Sequence, residues 1–521
     1  MRQSYMGAAP VALVAGLAFL LAFYGIGDQK ATEIPTESRT YSVNFQPTDP
    51  DPTVPRRETD DFNMVAVTWP DSHAHLSVTV LVRTRSVHTG TWSKWLPLED
   101  LSPDSEGGAA RGGSHPVWTG KSDGVEARVL RNRRSAIQGG LRLDLIDVGA
   151  NIASMHPAVS KQTAQGAETS ARPAQSGTAS RWNYDGALRP ETQPPITSRG
   201  GWDAQESLSR EQPRYVSEHG IRAVVIHHTA ESNDYSCADA PKIIRGIHHY
   251  HVKQLGWKDI GYNFLVDKCG VIYEGRKGGV DQPVHGAHTR GFNSQTVGVA
   301  VLGTHAHSPV SHNVLTSLAR LASWKLFPNG VDPASQVVLN AISTGSNYDG
   351  KRWGEGERIR VPAVLGHRHA YNTECPGEAL SEQLETVRSW ASGPVTGLTV
   401  HSVTQFSDSA NEDRGNVAVE WRANTPVPLI SRVELISDGE VIATTHGTAS
   451  YLTAQLTEGV HDIHLRAIHQ SGKAASATPV RVVIEKKKAS PADDASPQPL
   501  LLQGPGLVDH RWWDLSGLPR G

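Results

Sequence analysis

The stretch VPAVLGHRHAYNTECPG, residues 361–377, joins an apolar strand to two kinds of metal-ligating side chain. The apolar part ends at His367, and Cys375 follows eight residues later. A second apolar run, AVVIHHTA at residues 223–230, delivers His227 in the same way. Zinc accepts imidazole nitrogen together with thiolate, and three protein ligands leave one position for water, which is typical of a catalytic site. The pattern therefore predicts a zinc hydrolase with His227, His367 and Cys375 as ligands.

Other interpretations of these residues stay open at this point. A buried histidine at a strand end is more often hydrogen-bonded in the core, and a lone cysteine is more often a small hydrophobe. His369 lies two residues after His367 and competes with it as a ligand. The combination of both histidine-bearing strands with Cys375 favours the metal site.

Several segments resemble the peptidoglycan recognition protein family, which includes the type-2 N-acetylmuramoyl-L-alanine amidases. They occur in the family's order: VIHHTA (225–230), GWKDIGYNFLV (256–266), IYEGR (272–276), GAH (286–288), GHR (366–368) and TECPG (373–377). The resemblance covers roughly residues 195–392. The arrangement of the flanking domains is similar to that of secreted actinobacterial members of the family. It implies an α/β amidase domain over residues 196–392, with a mixed β-sheet flanked by helices.

The resemblance also assigns roles at the site. It supports the ligands His227, His367 and Cys375, and it favours His367 over His369 because the eight-residue spacing to the cysteine matches the family. Tyr262 matches the catalytic tyrosine, whose phenol donates to the water or to the developing oxyanion. Thr373 matches a position where members carry Thr or Lys, and a threonine there is better suited to positioning than to acid catalysis.

The substrate implied by the resemblance is peptidoglycan, cut at the amide between N-acetylmuramic acid and L-alanine by a zinc-activated water. The pair Gly256–Trp257 matches members that prefer meso-diaminopimelate peptides. The residues expected to bind substrate are His228, Gly256, Trp257, Arg276 and His288.

Two rival functions are kept beside this one. Some family members lack the cysteine and bind peptidoglycan without cutting it, so a non-catalytic peptidoglycan-binding protein is the main alternative. The second is a zinc amidase acting on another amide.

The three cysteines are Cys237, Cys269 and Cys375. In an exported chain an odd count leaves one unpaired. If Cys375 binds metal, the other two are left to form a disulfide; the alternative is Cys375 in the disulfide and no zinc site.

The first 28 residues contain an almost unbroken apolar run, Gly7–Gly27. Its length fits a signal peptide or a membrane anchor, with the cleaved signal favoured. Either one predicts a secreted or cell-wall-associated protein, attached to the membrane only if the segment is retained. The net charge of −3 and the absence of Lys/Arg blocks argue against nucleic-acid binding. A monomer is expected.

Regions of different composition flank the predicted amidase domain. Residues 40–150 show period-2 alternation and predict an all-β domain of unknown function, in which Trp92 and Trp95 are expected to pack in a core rather than against sugar. Residues 151–195 are Ser/Ala/Gln/Pro-rich and predict a linker. Residues 395–485 predict an immunoglobulin-like or fibronectin-like β-sandwich with a turn at Asp438–Gly439, and residues 486–521 a Pro-rich disordered tail.

Within 196–392 the pattern alternates strands and helices. Helices are predicted over Ala238–Leu255, Ser311–Leu326 and Glu378–Trp390, and strands over 223–227, 262–266, 271–274, 296–302 and 361–366. Ile243, Ile247, His251 and Leu255 share one face of the first helix. His251 is therefore expected to be buried and His248 exposed.

Overall fold

The structure is a computed structural model that describes residues 37–48, 51–74, 76, 78–101, 110–130, 139–149, 193–216, 220–406, 414–484 and 498–499. The apolar segment 1–28 and most of the predicted linker and tail lie outside these residues. No helix in the described part of the chain is long and apolar enough to cross a membrane.

The N-terminal region is a seven-stranded antiparallel sheet. Its strands are β1 (Arg39–Asn44), β2 (Thr53–Trp69), β3 (Thr79–Ser86), β4 (Leu96–Leu98), β5 (Gly112–Gly113), β6 (Val117–Leu130) and β7 (Arg142–Asp147). They are arranged in the order β1-β7-β2-β6-β3-β4, with β5 paired to β2. One face buries Val80, Val82, Leu143 and Leu145, which is the alternation that the sequence predicts.

The predicted core position of Trp92 and Trp95 is wrong. Both indole rings are half-buried and stack at the surface with three arginines, in the order Arg56, Trp92, Arg83, Trp95, Arg128. Guanidinium groups are attracted to indole faces, and each ring here has two such contacts.

The central domain contains a six-stranded mixed sheet. Its strands are β8 (Ile196–Thr197), β9 (Ala223–His228), β10 (Phe264–Val266), β11 (Ile272–Glu274), β12 (Thr296–Val301) and β17 (Val364–Gly366), in the order β17-β9-β12-β10-β11-β8. Four neighbouring strands, β17, β9, β12 and β10, are parallel. Two small hairpins add β13 (Gln336–Asn340) with β16 (Arg358–Pro362), and β14 (Gly345–Ser346) with β15 (Arg352–Trp353).

Three helices accompany this sheet: α1 (Ala240–Lys253), α2 (His312–Leu326) and α3 (Glu378–Ser392). A capping box at Ser236 begins the short helical turn Cys237–Asp239, which leads into α1, and Pro241 lies in the first turn of α1. The Ser311 hydroxyl accepts from Val314 N at the start of α2. All three predicted helices are present within two residues of their expected ends. The α2 and α3 side packs against the sheet through Leu318, Ala322, Leu380 and Leu384.

The apolar face predicted for α1 is confirmed, since Ile243, Ile247, His251 and Leu255 are all buried. The exposed position predicted for His248 is wrong. Its ring is buried, its Nε2 lies 3.0 Å from Asp259 Oδ1, and it packs on Trp202. The segment that contains Trp202 packs on this second face of α1. Helical periodicity within α1 does not predict which other segments pack on the helix.

The C-terminal region consists of two sheets around one apolar core. The first contains β18 (Thr399–Phe406), β19 (Arg414–Arg422), β22 (Tyr451–Thr457) and β26 (Gln498–Pro499). The second contains β20 (Ile430–Ser437), β21 (Glu440–His446), β23 (Gly459–His469), β24 (Ala474–Ser476) and β25 (Val480–Ile484). The predicted turn at Asp438–Gly439 is present, and both residues have positive φ as a tight hairpin requires.

His469 connects this region to the central domain. The ring is fully buried, and its Nε2 lies 2.9 Å from the carbonyl oxygen of Trp390 on α3. Burial lowers its pKa to about 4. The folded protein therefore holds a neutral imidazole at a pH where an unfolded chain, with a pKa near 6.5, already binds a proton.

We expect this difference to make stability depend on pH. The native contact is fully favourable above pH 6.5, and its contribution falls as pH drops from about 6.5 towards 4, by about 1.4 kcal/mol per pH unit. Between pH 7 and pH 5 the wild-type chain should lose about 2 kcal/mol more than a His469→Gln variant, whose amide retains a donor for Trp390. Urea unfolding at the two pH values measures this, and parallel losses in both proteins would contradict the assignment.

Candidate metal centre

The parallel pairing of β9 and β17 brings two histidines to one edge of the sheet. Gly366 is paired with Ile226, so the next residues, His367 and His227, follow side by side at the carboxyl ends of the strands. Their ring centroids are 4.4 Å apart. The sequence signal of two apolar runs each ending in histidine therefore corresponds to adjacent strands.

Cys375 approaches this pair on the loop before α3. Its Sγ lies 3.8 Å from His227 Nδ1, and one ligand atom from each of His227, His367 and Cys375 falls within 4.8 Å of the others. The backbone N–H of Arg368 donates to the Cys375 carbonyl at 2.8 Å. The hydroxyl of Thr373 accepts from the Cys375 N–H at 3.2 Å, which is a positioning contact.

This cluster fits a zinc ion. Tetrahedral zinc with Zn–S near 2.3 Å and Zn–N near 2.05 Å separates sulfur from nitrogen by about 3.6 Å, close to the separation between Cys375 and His227. Burial lowers the pKa of His227 and His367 well below the usual range, which keeps both imidazoles neutral as ligands must be. Burial raises the pKa of the Cys375 thiol, and a dication bound beside it reverses that preference by stabilising the thiolate.

His369 is directed away from the cluster. Its Nδ1 lies 3.1 Å from the carbonyl oxygen of Gly366 in the short helical turn His367–His369. Of His367 and His369, only His367 has a ring nitrogen close to both His227 and Cys375.

His288, which is expected to bind substrate, lies directly against a predicted metal ligand. It is buried, and its Nδ1 lies 3.1 Å from His227 Nε2. This contact holds the His227 ring with its Nδ1 facing Cys375, which is the orienting role that outer partners of metal-bound histidines have. Gly298 makes room for it, because a Cβ there would lie 2.3 Å from the His288 ring.

Tyr262 lies against the same histidine. Its ring centroid is 5.4 Å from that of His227, and the side chain is only 3% exposed. Burial, followed by the nearby Cys375 and Glu231, raises the pKa of the phenol well above its usual value. The hydroxyl therefore keeps its proton at neutral pH and can act as a donor.

Two acidic residues near the site gave no signal in the sequence. Glu231 is buried, accepts from the Thr229 hydroxyl at 2.8 Å, and has a pKa raised to about 8 by burial. Glu99 comes from the N-terminal sheet, and its Oε2 lies 3.2 Å from His228 Nε2. Neither pattern nor spacing in the chain connects Glu99 with a site more than 100 residues away.

The predicted substrate-binding residues are distributed around this centre. His228 faces the opposite side of β9 from His227, and its backbone N–H donates to Cys375 Sγ at 3.4 Å. Trp257 is buried and packs on His251 with centroids 4.4 Å apart, whereas Gly256 is exposed. Arg276 is buried beside Glu274 and Lys325 at a separate small pocket.

The chain is similar to animal proteins of one family. Peptidoglycan-recognition protein SC2 of Drosophila simulans is 30% identical over 196 residues, which cover 37% of this chain and 87% of that protein. The chain belongs to the peptidoglycan recognition protein family. Peptidoglycan recognition protein 1 of Bos indicus is 36% identical over 155 residues, which cover 29% of this chain and 78% of that protein.

Two further family matches divide the chain. Residues 217–378 match the N-acetylmuramoyl-L-alanine amidase family, and residues 28–179 match the family described as Rv3811 N-terminal galactose-binding domain-like. The solved structure of Drosophila PGRP-LB has a TM-score of 0.28 and 27% identity, covering 37% of this chain and 93% of that one. The molecule is thus a multidomain protein that joins a galactose-binding-like domain to a peptidoglycan recognition domain.

The disulfide of this peptidoglycan recognition domain connects Cys237 to Cys269. Cys375 is left as the single free thiol among the chain's three cysteines, and it is buried. The pairing agrees with the sequence-based expectation and leaves the thiol available to a metal.

Proposed function

We propose that the chain is a zinc-dependent N-acetylmuramoyl-L-alanine amidase. The observation that carries the proposal is the convergence of His227, His367 and Cys375 beside the protonated phenol of Tyr262. Some members of the family lack the cysteine and bind peptidoglycan without cutting it, and this chain retains Cys375. The membership of the amidase family over residues 217–378 supports the same reaction class.

Each residue has a defined task in this reaction. A zinc ion at three protein ligands lowers the pKa of a water in its open position and polarises a carbonyl. Tyr262 donates a hydrogen bond where negative charge develops on the carbonyl oxygen. His288 orients His227, and Thr373 holds the backbone of Cys375, so both act by positioning the ligands.

The substrate class follows from the relatives, which are named for recognising peptidoglycan. The bond cut is the amide between N-acetylmuramic acid and L-alanine. His228, Gly256, Trp257 and Arg276 are proposed to contact the stem peptide, and Gly256–Trp257 favours the meso-diaminopimelate type. We infer in addition that the protein acts outside the cytoplasm and that the C-terminal two-sheet region is immunoglobulin-like.

The proposal predicts specific products. Purified sacculi and soluble muropeptides incubated with the zinc-loaded full chain should release stem peptides that begin with a free L-alanine amine, seen by mass spectrometry. A chelator should abolish the release, and added zinc should restore it. Binding to sacculi without any release from either substrate would replace the amidase by the non-catalytic binding function, and release of another amine would identify a different amide.

A further inference from the structure

The N-terminal sheet packs directly on the peptidoglycan recognition domain. A single buried apolar cluster contains residues of both, and it includes Met64, Trp118 and Val148 from the sheet with Ile247, Tyr250 and Tyr262 from the domain. Tyr262, the proposed catalytic donor, belongs to the same cluster.

Polar contacts surround this core. The Ala110 N–H donates to the Leu255 carbonyl at 2.8 Å, and Arg142 donates to Gln254 Oε1 at 2.9 Å. The His249 ring lies 3.0 Å from the Thr40 hydroxyl. The interface therefore follows the length of α1 and reaches the predicted substrate-binding pair that begins at Gly256.

The N-terminal sheet and α1 are in closest contact at two glycine residues. A Cβ on Gly246 of α1 would lie 2.1 Å from Met64 Sδ, and a Cβ on Gly113 of β5 would lie 2.2 Å from the Tyr250 hydroxyl. Contacts this close leave no room for even a methyl group. The packing is specific to this pair of surfaces.

The same sheet reaches both sides of the metal centre. Glu99 contacts His228 at 3.2 Å on one side. On the other, Tyr371 stacks on His367 with centroids 5.4 Å apart, and Asp100 is close enough to raise the pKa of that phenol, after burial. The exposed fractions of His227 and Cys375 are 1% and 3%.

We propose that the galactose-binding-like domain is a built-in cover of the metal centre, and that it must move before a glycan-linked stem peptide can reach Cys375 and Tyr262. A peptide attached to a polysaccharide needs a groove open to solvent, and the N-terminal sheet packs on α1 and contacts His228 next to the metal centre. The inference stands on burial and packing and does not require that the centre hydrolyse amides.

The accessibility of the metal centre can be measured through Cys375 without an engineered probe, because Cys375 is the chain's single free thiol. In metal-free protein, its reaction with a maleimide should be at least about 10-fold slower than in the Gly246→Leu or Gly113→Leu variants, which push the two surfaces apart from opposite sides. The matched control is Gly139→Leu, at a glycine in the turn before β7 of the same domain, where a Cβ meets nothing within 4 Å. Adding Met64→Ala to Gly246→Leu should return the slow rate by removing the sulfur that the new side chain meets.

A second measurement follows binding. Calorimetry with soluble muropeptides released from sacculi by a glycan hydrolase should give tighter binding to the two opened variants than to wild type. Wild-type labelling as fast as in urea-unfolded chain would overturn the proposal, and this comparison needs no variant to fold. Folded variants with wild-type labelling rates would also overturn it. Faster labelling with weaker muropeptide binding would mean that the sheet completes the groove rather than covering it, which is likewise contrary to the proposal.

Discussion

Replacing Cys375 by Ala should remove the bound zinc and reduce amide hydrolysis by about 10³-fold or more. In the proposed zinc site the Cys375 thiolate is the charged ligand of the three, and the two neutral imidazoles of His227 and His367 cannot replace it. The loss of a Lewis acid that contributes several kcal/mol to the transition state corresponds to roughly this factor in rate. Atomic absorption on the full chain should give about one zinc per wild-type molecule and a trace in the variant.

The matched control for this experiment is His369→Ala. His369 lies two residues after the predicted ligand His367. Its ring nitrogen Nδ1 lies within hydrogen-bond distance of the Gly366 carbonyl oxygen and not of the metal-ligating atoms. Its removal should leave zinc content and turnover close to wild type. A full zinc signal in Cys375→Ala, or loss of zinc in His369→Ala, would show that the ligand set is different.

The backbone of the site could be predicted from the sequence because its signals are local. Apolar runs ending at His227 and His367 predict strands, and parallel neighbours place their carboxyl ends together. The order of the motifs along the chain then indicates the family of this domain. Local patterns also give the three helices, and Ser311 caps the start of α2.

Long-range packing decided the features that the sequence did not predict. His248 has helical spacing suited to a solvent face, and a separate segment with Trp202 buries it. His288 is expected from its motif to bind substrate, and its contact with His227, for which Gly298 leaves room, is a feature that the motif does not predict. The contact of Glu99 with His228 requires the docking of another domain, which leaves no periodicity or spacing in the chain.

The phenol of Tyr262 tests the reaction separately from the metal. Tyr262→Phe keeps the buried ring and its packing on His227, so zinc content and muropeptide binding should match wild type. The hydroxyl donor is lost, and the loss of one such donor costs about 10²–10³ in kcat, or roughly 3–4 kcal/mol. Thr373→Val should cost less, because its hydroxyl contacts the backbone of Cys375 and not the reacting carbonyl.

A control is needed for the removal of any buried hydroxyl. Tyr273 serves this purpose, because its hydroxyl donates to Asp267 Oδ2 at 3.0 Å within the same domain and outside the metal-ligating group. Tyr273→Phe should change the unfolding free energy and leave kcat unchanged, whereas Tyr262→Phe should change kcat with zinc retained. Measured on soluble muropeptides, wild-type turnover in Tyr262→Phe would remove the tyrosine from the mechanism and leave charge stabilisation to the metal alone. Equal losses in both variants would indicate a structural effect of hydroxyl removal.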